Sequence, residues 1–162
     1  MENHAEENYY IPLIKLSMAK ERELPYEIKE ITSAEKTAKL AEQILEGADR
    51  EYLLVISISC ACRPVAVEIV AIGALYSVVI QPREIFKHAI LSNAAGIVMI
   101  HNHPSGKCTP SREDEAITRK MIRAGDLLGI WLEDHIIIGE GYYSFREEGL
   151  ISQWRAEEEM IW

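Results

Sequence analysis

A predicted strand, tight turn and helix in the middle of the chain constrain its fold more than any other segment. The apolar run Gly96–Ile100 predicts a strand buried on both faces, and the periodicity of Ser111–Leu128 predicts a helix. His101 and His103 follow the strand directly, and the turn Pro104-Ser-Gly106 reverses the chain toward the helix. Because side chains alternate along a strand, both histidines point to the same side. The segment therefore predicts a helix start that faces a histidine pair.

A carboxylate in the first turn of this helix could complete a set of metal ligands. Asp114 is the third candidate after His101 and His103, and Glu113 beside it would serve equally well. Two nitrogen donors and one oxygen donor are typical of a catalytic zinc site, which keeps a fourth position for water. Zinc lowers the pKa of that water to about 7, so that it becomes a usable nucleophile. The structural alternatives are turn histidines that bond loop backbone and a first-turn acid favoured by the helix dipole.

Two further side chains are candidates for the chemistry. Ser111 is predicted to be the N-cap of the helix, boxed with Asp114, and its hydroxyl could alternatively stabilise an oxyanion. Hydrolysis also needs a proton carrier, for which a carboxylate is the usual choice. Glu51 stands at the polar start of a predicted strand and is the first candidate, with Glu84 and Glu68 as rivals. An exposed acid at a strand end is the structural alternative for Glu51.

Strands alternate with helices along the chain, which predicts an α/β protein with a three-layer arrangement around one mixed β-sheet. The predicted strands are Tyr52–Ser59 and Val65–Ile72, paired as a hairpin, then Ser77–Ile80, Gly96–Ile100, Ile130–Gly139 and Tyr142–Phe145. The predicted helices are residues 32–47, opened by a capping box of Thr32 and Glu35, then Arg83–Asn93, with Ile85, Ala89 and Ile90 facing inward, and Ser111–Leu128.

The sequence suggests one domain, residues 32–150, between two terminal segments. Residues 1–31 are predicted to be an extended arm, and the β-forming residues within it would form an edge hairpin or reach a partner. Residues 151–162 are predicted to be a C-terminal tail of helical composition, with Trp154 and Trp162 as packing anchors.

Charge and cysteine content limit the function classes. A formal charge of −9 gives no broad attraction to a phosphate backbone, although a local basic patch stays open. No apolar run reaches the roughly 18 residues of a membrane span, and the acidic N-terminus is unlike a signal peptide. Three cysteines suggest a reducing compartment, so we expect a cytoplasmic protein without membrane association. Cys60 and Cys62 are expected to be hairpin residues and not a metal pair.

The motif around the histidines resembles a known family. His101-x-His103, seven residues, Ser111, two residues and Asp114 match the JAMM (MPN-plus) metalloprotease motif at full spacing. The flanking segments Gln81-Pro-Arg-Glu84, Thr109–Asp114 and Asp134–Gly139 resemble the RadC branch, over roughly residues 32 to 150. The resemblance implies a JAB/MPN fold of the cytidine-deaminase-like type. It also implies zinc held by both histidines and Asp114, assistance by hydrogen bonding from Ser111, and Glu51 as the catalytic glutamate.

Three features leave alternatives open within this resemblance. Longer RadC proteins carry a helix-hairpin-helix region suspected of binding DNA, and residues 1–30, predicted to be extended, leave no room for one. Cys108 lies where such proteins often have an acidic or small polar residue; it would compete for zinc or be an exposed loop side chain. Asp134 and His135 would be a loop-bonding acid and a core histidine, or they would orient a zinc-binding histidine from behind.

The hypothesis that follows is a zinc-dependent metallopeptidase-type hydrolase that cleaves a peptide or isopeptide amide with a zinc-bound water. The expected partner is a peptide or protein substrate. Nucleic acid is not favoured by the charge, and a homodimer stays open. The alternatives are a DNA-repair-associated accessory protein with a zinc site and a non-enzymatic interaction module.

Overall fold

The computed structural model describes residues 11–26, 29–73 and 80–159 of the chain. The helices are α1 (Ala34–Ile44), α2 (Pro82–Leu91), α3 (Arg112–Leu128) and α4 (Leu150–Glu159). The strands are β1 (Tyr52–Ile58), β2 (Pro64–Ile72), β3 (Gly96–Asn102), β4 (Trp131–Ile138) and β5 (Tyr142–Ser144). The predicted strand at Ser77–Ile80 lies, except for Ile80, outside the described residues, as do Tyr9 and Trp162. The α/β class is confirmed.

One mixed sheet orders the strands β2-β1-β3-β4-β5. β1 pairs antiparallel with β2, which confirms the predicted hairpin, and it also pairs antiparallel with β3. β3 and β4 are parallel, and α3 makes the crossover between them, as parallel neighbours require. The carboxyl ends of β3 and β4 therefore meet the beginning of β1 at one end of the sheet.

Helices cover both faces of the sheet, which confirms the three-layer arrangement. On one face, here called the α3 face, residues such as Leu53 and Met99 pack against α2, α3 and α4. On the other, the α1 face, Leu54 and Ile100 pack against α1. β3 is buried along almost its whole length, because it lies in the middle of the sheet between helices.

Two local expectations were wrong. The N-cap of α1 is Ser33 and not Thr32: the Ser33 hydroxyl accepts a hydrogen bond from the Lys36 amide, so the predicted capping box does not form. The helix begins there because Ala34 must turn into the core, where it is fully buried. Ile90 is half exposed, since the inward stripe of α2 passes through Ile85, Phe86 and Ala89.

The two terminal segments differ in structure. Residues 11–26 contain no helix or strand, so no edge hairpin forms in that described part. Trp154 in α4 is buried against the core with the Arg119 guanidinium 4.2 Å from its ring centroid, as expected of a packing anchor. The division of the chain into arm, domain and tail stays a prediction.

Candidate metal centre

The turn after β3 is held against the end of β4. The His103 amide donates to the Ile138 carbonyl at 2.8 Å, and the Glu140 amide donates to the Gly106 carbonyl at 2.7 Å. A Cβ at Gly139 would stand 2.2 Å from the Gly106 carbonyl oxygen, so this close contact of two backbones requires glycine there. The turn is thereby fixed, and the chain returns to begin α3 beside the two histidines.

The first turn of α3 fixes the carboxylate. The Asp114 amide donates to the Ser111 hydroxyl oxygen, while both the Ser111 amide (2.7 Å) and its hydroxyl (2.6 Å) donate to Asp114 Oδ2. This is the predicted capping box. Asp114 is buried, whereas Glu113 is exposed, so the structure selects Asp114 of the two acids.

Three donor atoms converge at this corner. His101 Nε2 lies 2.9 Å from His103 Nε2 and 3.2 Å from Asp114 Oδ1, and His103 Nε2 lies 3.6 Å from Asp114 Oδ2. Donors around a tetrahedral zinc stand about 3.3 Å apart when the bonds are about 2.0–2.1 Å long. These three residues form a group whose ligand atoms could hold one metal ion.

A chain of hydrogen bonds decides which nitrogen of His101 is protonated. The Thr118 hydroxyl contacts the Asp114 carbonyl oxygen and His135 Nδ1, at 2.5 and 2.6 Å. A carbonyl can only accept, so the single hydroxyl proton goes to it and His135 Nδ1–H donates to Thr118. His135 Nε2 then accepts from His101 Nδ1–H at 2.9 Å. His101 Nε2 is left with its electron pair directed at the corner.

His103 presents its electron pair in the same way. Its Nδ1 lies 2.7 Å from the Lys107 carbonyl oxygen and donates to it, which leaves Nε2 unprotonated. Two imidazole electron pairs and a carboxylate therefore stand within contact of one another. A cation between them satisfies all three, so the donor set fits a metal ion.

The ionisation of the buried groups agrees with this assignment. Burial alone would raise the pKa of Asp114, but the contact with the His101 ring and the hydrogen bonds from Ser111 hold the pKa well below its usual range. Burial, together with the neighbouring His101, lowers the pKa of His135, so its ring stays neutral. The corner thus combines an ionised Asp114 carboxylate with a neutral His135 ring behind His101.

Glu51 lies at the same end of the sheet. The β1–β3 pairing ends at Leu53 and His101; continued by two residues, its register would place Glu51 opposite His103 and on the same face. Asn102 holds the chain on both sides of Glu51: its side chain accepts from the Tyr52 amide (2.8 Å) and donates to the Arg50 carbonyl (2.9 Å). Asn102 therefore has a structural role, which is to hold the backbone around Glu51.

The rival glutamates lie elsewhere. Glu84 forms surface ion pairs with Lys87 (2.9 Å) and Arg83 (3.6 Å) in the first turn of α2. Glu68 is exposed on β2 and pairs with Val55, two residues along β1 from Leu53. β2 is also one strand farther than β1 from the strand that carries His101.

Comparison with known proteins adds the family. The family described as RadC-like JAB domain matches residues 31–150. The chain belongs to the RadC-like JAB domain family. Its five-stranded mixed sheet, flanked by helices, is consistent with the JAB/MPN fold.

Similar proteins carry names that state no activity. A UPF0758 protein of Desulforamulus reducens is 43% identical over 122 residues, which are 75% of this chain and 54% of that protein. A UPF0758 protein of Methanosarcina barkeri is 53% identical over 85 residues, 52% of this chain and 37% of that protein. A third, of Clostridium acetobutylicum, is 40% identical over 127 residues, 78% and 56% of the two chains. This RadC-like chain spans about half the length of these relatives.

Several residues of the RadC-like site were left with alternatives by the sequence. His135 does contact His101, a candidate metal ligand. Asp134 instead faces the α1 side, where it accepts from the Ser144 hydroxyl (2.6 Å) and the Arg146 amide (3.0 Å). Cys108 packs against Gly139 and is not in the metal-ligand group found among the described residues.

Thr118 belongs to the hydrogen-bond network of the candidate site and was missed by the sequence reasoning. It lies four residues after Asp114 and hence on the same helix face, and it is fully buried. A hydroxyl at that spacing on an otherwise apolar stripe was the available signal.

No helix in the described part of the RadC-like chain is long and apolar enough to cross a bilayer.

Proposed function

We propose that this RadC-like JAB domain is a zinc-dependent hydrolase of the metallopeptidase type, which cleaves a peptide or isopeptide amide. The observation that carries the proposal is the convergence of His101 Nε2, His103 Nε2 and Asp114 within metal-binding distance, with both imidazoles in the tautomer that binds a metal. A bound zinc ion would polarise the amide carbonyl and lower the pKa of water to about 7.

Glu51 is proposed as the proton carrier. In amide hydrolysis, one carboxylate takes the proton of the attacking water and delivers it to the leaving amine. Continuing the β1–β3 register to this level would bring Glu51 opposite His103, which supports the role, as do the two Asn102 hydrogen bonds that fix the neighbouring backbone. Glu84, engaged in surface ion pairs, is a weaker candidate.

Ser111 is proposed to orient the metal-binding carboxylate. The Ser111 hydroxyl donates a hydrogen bond to Asp114 Oδ2, and its oxygen accepts a hydrogen bond from the amide of the same aspartate. Stabilisation of an oxyanion would require that proton to turn away from Asp114 Oδ2. We therefore place Ser111 first as a positioning residue, with direct contact to the substrate as its second proposed role.

The first experiment measures metal content. Wild-type protein purified without added metal should carry close to one zinc per chain, by inductively coupled plasma mass spectrometry. His103→Ala and Asp114→Asn should lose it, whereas the exposed neighbour Glu113→Gln should keep it. Wild-type protein that stays metal-free after incubation with zinc would overturn the proposed site.

The second experiment separates binding from chemistry. Glu51→Gln should retain zinc and lower kcat for cleavage of a peptide library by about 10²–10⁴-fold, the usual effect of removing a general acid–base group. Glu84→Gln and Glu68→Gln should retain activity. Full activity in Glu51→Gln would transfer the proton-carrying role to another group.

A further inference from the structure

The outer strand of the sheet carries an exposed apolar stripe. β2 lies at the end of the strand order and, in the part of the chain described, pairs with β1 alone. Four of its side chains form what is here called the β2 stripe: Val65, Val67, Ile69 and Ile72, each 37% to 54% exposed. An edge strand with unpaired backbone groups and apolar side chains is a template for another strand.

The stripe is exposed because of where α1 lies. Val67 pairs with Ile56 and Ile69 pairs with Leu54, so these residues point to the α1 face. The helix α1 packs over β4 and β5, at the other side of that face. The β2 stripe thus extends the apolar surface of the core past the region that α1 covers.

The N-terminal arm presents a matching segment. Residues 11–18 include five apolar side chains that are 49% to 102% exposed: Ile11, Leu13, Ile14, Leu16 and Met18. Along this segment, which forms no helix or strand, Ile14, Leu16 and Met18 alternate with Lys15 and Ser17. Such alternation is typical of a strand with one apolar face.

The arm and β2 are complementary in pattern and charge. If the arm pairs with the edge of β2 so that Ile14, Leu16 and Met18 lie beside the β2 stripe, Lys15 comes to the opposite face. Glu68 is exposed on that same face of β2, between Val67 and Ile69. Pro12, which has no amide hydrogen, falls near the beginning of the added strand, where proline is tolerated.

We propose that residues 11–18 of one copy of this chain add a strand to β2 of a second copy, and that two copies exchange their arms. The Ile31 amide donates to the Cys62 carbonyl at 2.7 Å, so the arm leaves the domain at the turn between β1 and β2. In the single chain the apolar side chains of residues 11–18 remain exposed and do not return to β2. Strand addition pairs the backbone groups of residues 11–18 with the edge of β2, and it covers the apolar side chains of both segments.

Sedimentation velocity of the full chain over a range of concentrations tests the proposal. Wild-type protein should show a concentration-dependent dimer. Leu16→Asp on the arm and Ile69→Lys on β2 should each shift it to monomer, and both residues are exposed, so the fold should survive. Leu127→Asp, at a more exposed leucine at the far end of α3, is the matched control, and this variant should still dimerise.

Two mixing experiments identify the contact. Lys15→Glu or Glu68→Lys should weaken the dimer by about 2- to 30-fold, the effect of two surface ion pairs, and the double reversal should restore it. An equimolar mixture of Leu16→Asp and Ile69→Lys should form heterodimers, since one intact arm meets one intact edge. A wild-type monomer at all concentrations would overturn the proposal. So would a monomer whose residues 11–18 are protected from hydrogen exchange, because the arm would then pair with its own β2.

Discussion

Two buried histidines on the α3 face of the sheet have opposite surroundings. His135 is bonded at both ring nitrogens, to His101 and to Thr118, and its ring stacks on Phe145 with centroids 5.0 Å apart. His88, near the other end of the strands, contacts the Ser57 hydroxyl through Nδ1 at 3.0 Å. Its Nε2 is buried and finds no hydrogen-bond partner within the part of the chain described.

The difference shows what makes a buried polar group useful. His135 belongs to a network whose every bond fixes the next, and this network ends at an electron pair directed at the candidate metal centre. His88 ends in an unpaired nitrogen, so its burial only disfavours protonation. Four predictions test this comparison, from the largest expected effect to the smallest.

The buried His88 should make the protein less stable in acid. Burial lowers the pKa of His88 from 6.5 to about 4. The unfolded chain therefore binds a proton at a pH where the folded chain does not, so stability is complete above pH 6.5 and declines as the pH falls toward 4. The loss should reach roughly 3 kcal/mol in urea unfolding.

The control for this acid effect is the double variant Ser57→Ala/His88→Leu, which has no imidazole at this position. Its free energy of unfolding should decline less over the same pH range, by about the His88 contribution. Equal declines in the two proteins would mean that His88 does not lose its proton on folding.

Replacing His135, the other buried histidine, should lower the affinity for zinc. His135→Leu removes the acceptor that holds His101 Nδ1–H, so the His101 tautomer is no longer fixed. We expect zinc affinity to fall about 10–100-fold in a chelator competition. Asp134→Asn, the adjacent residue on the opposite face of the sheet, should leave the affinity unchanged; an equal loss there would indicate a general structural defect.

Thr118→Val should have a smaller effect, on stability. It removes the hydroxyl that receives the His135 proton and leaves His135 Nδ1–H without a partner, which should lower the free energy of unfolding by about 1 kcal/mol. Thr37→Val is the matched control, since the buried Thr37 hydroxyl donates to the Ser33 carbonyl in α1 and is not part of the His135 network. Thr118→Val should lower the free energy of unfolding more than Thr37→Val does. Equal losses would mean that the lost hydrogen bond from the hydroxyl to the helix carbonyl accounts for the whole effect.

The smallest effect is expected for Ser57→Ala/His88→Leu at pH 7. Both members of an isolated polar pair are replaced by apolar groups, so the free energy of unfolding should stay within about 1 kcal/mol of wild type. Zinc content should not change. A loss of zinc would show that the two histidines are linked through the core, contrary to the comparison.

Local patterns allowed much of the fold to be predicted. The apolar run of β3 and the periodicity of α3 predicted those elements to within two residues. The boundary of α1 was displaced by one residue, because Thr32 and Ser33 are equally good caps and only the burial of Ala34 separates them. The prediction that Ile90 faces inward was wrong, because a different stripe of α2 packs against the core.

For the site, the sequence by itself determined the donor types and their spacing: two histidines on one side of a strand, and an acid in the first turn of the next helix. Tertiary structure alone decided that Asp114 and not Glu113 joins them, that Asn102 holds the backbone around Glu51, and that His135 and Thr118 fix the tautomer of His101. The reason is physical. Spacing along a chain sets the direction of a side chain within one element, whereas a proton's position depends on contacts between elements far apart in sequence.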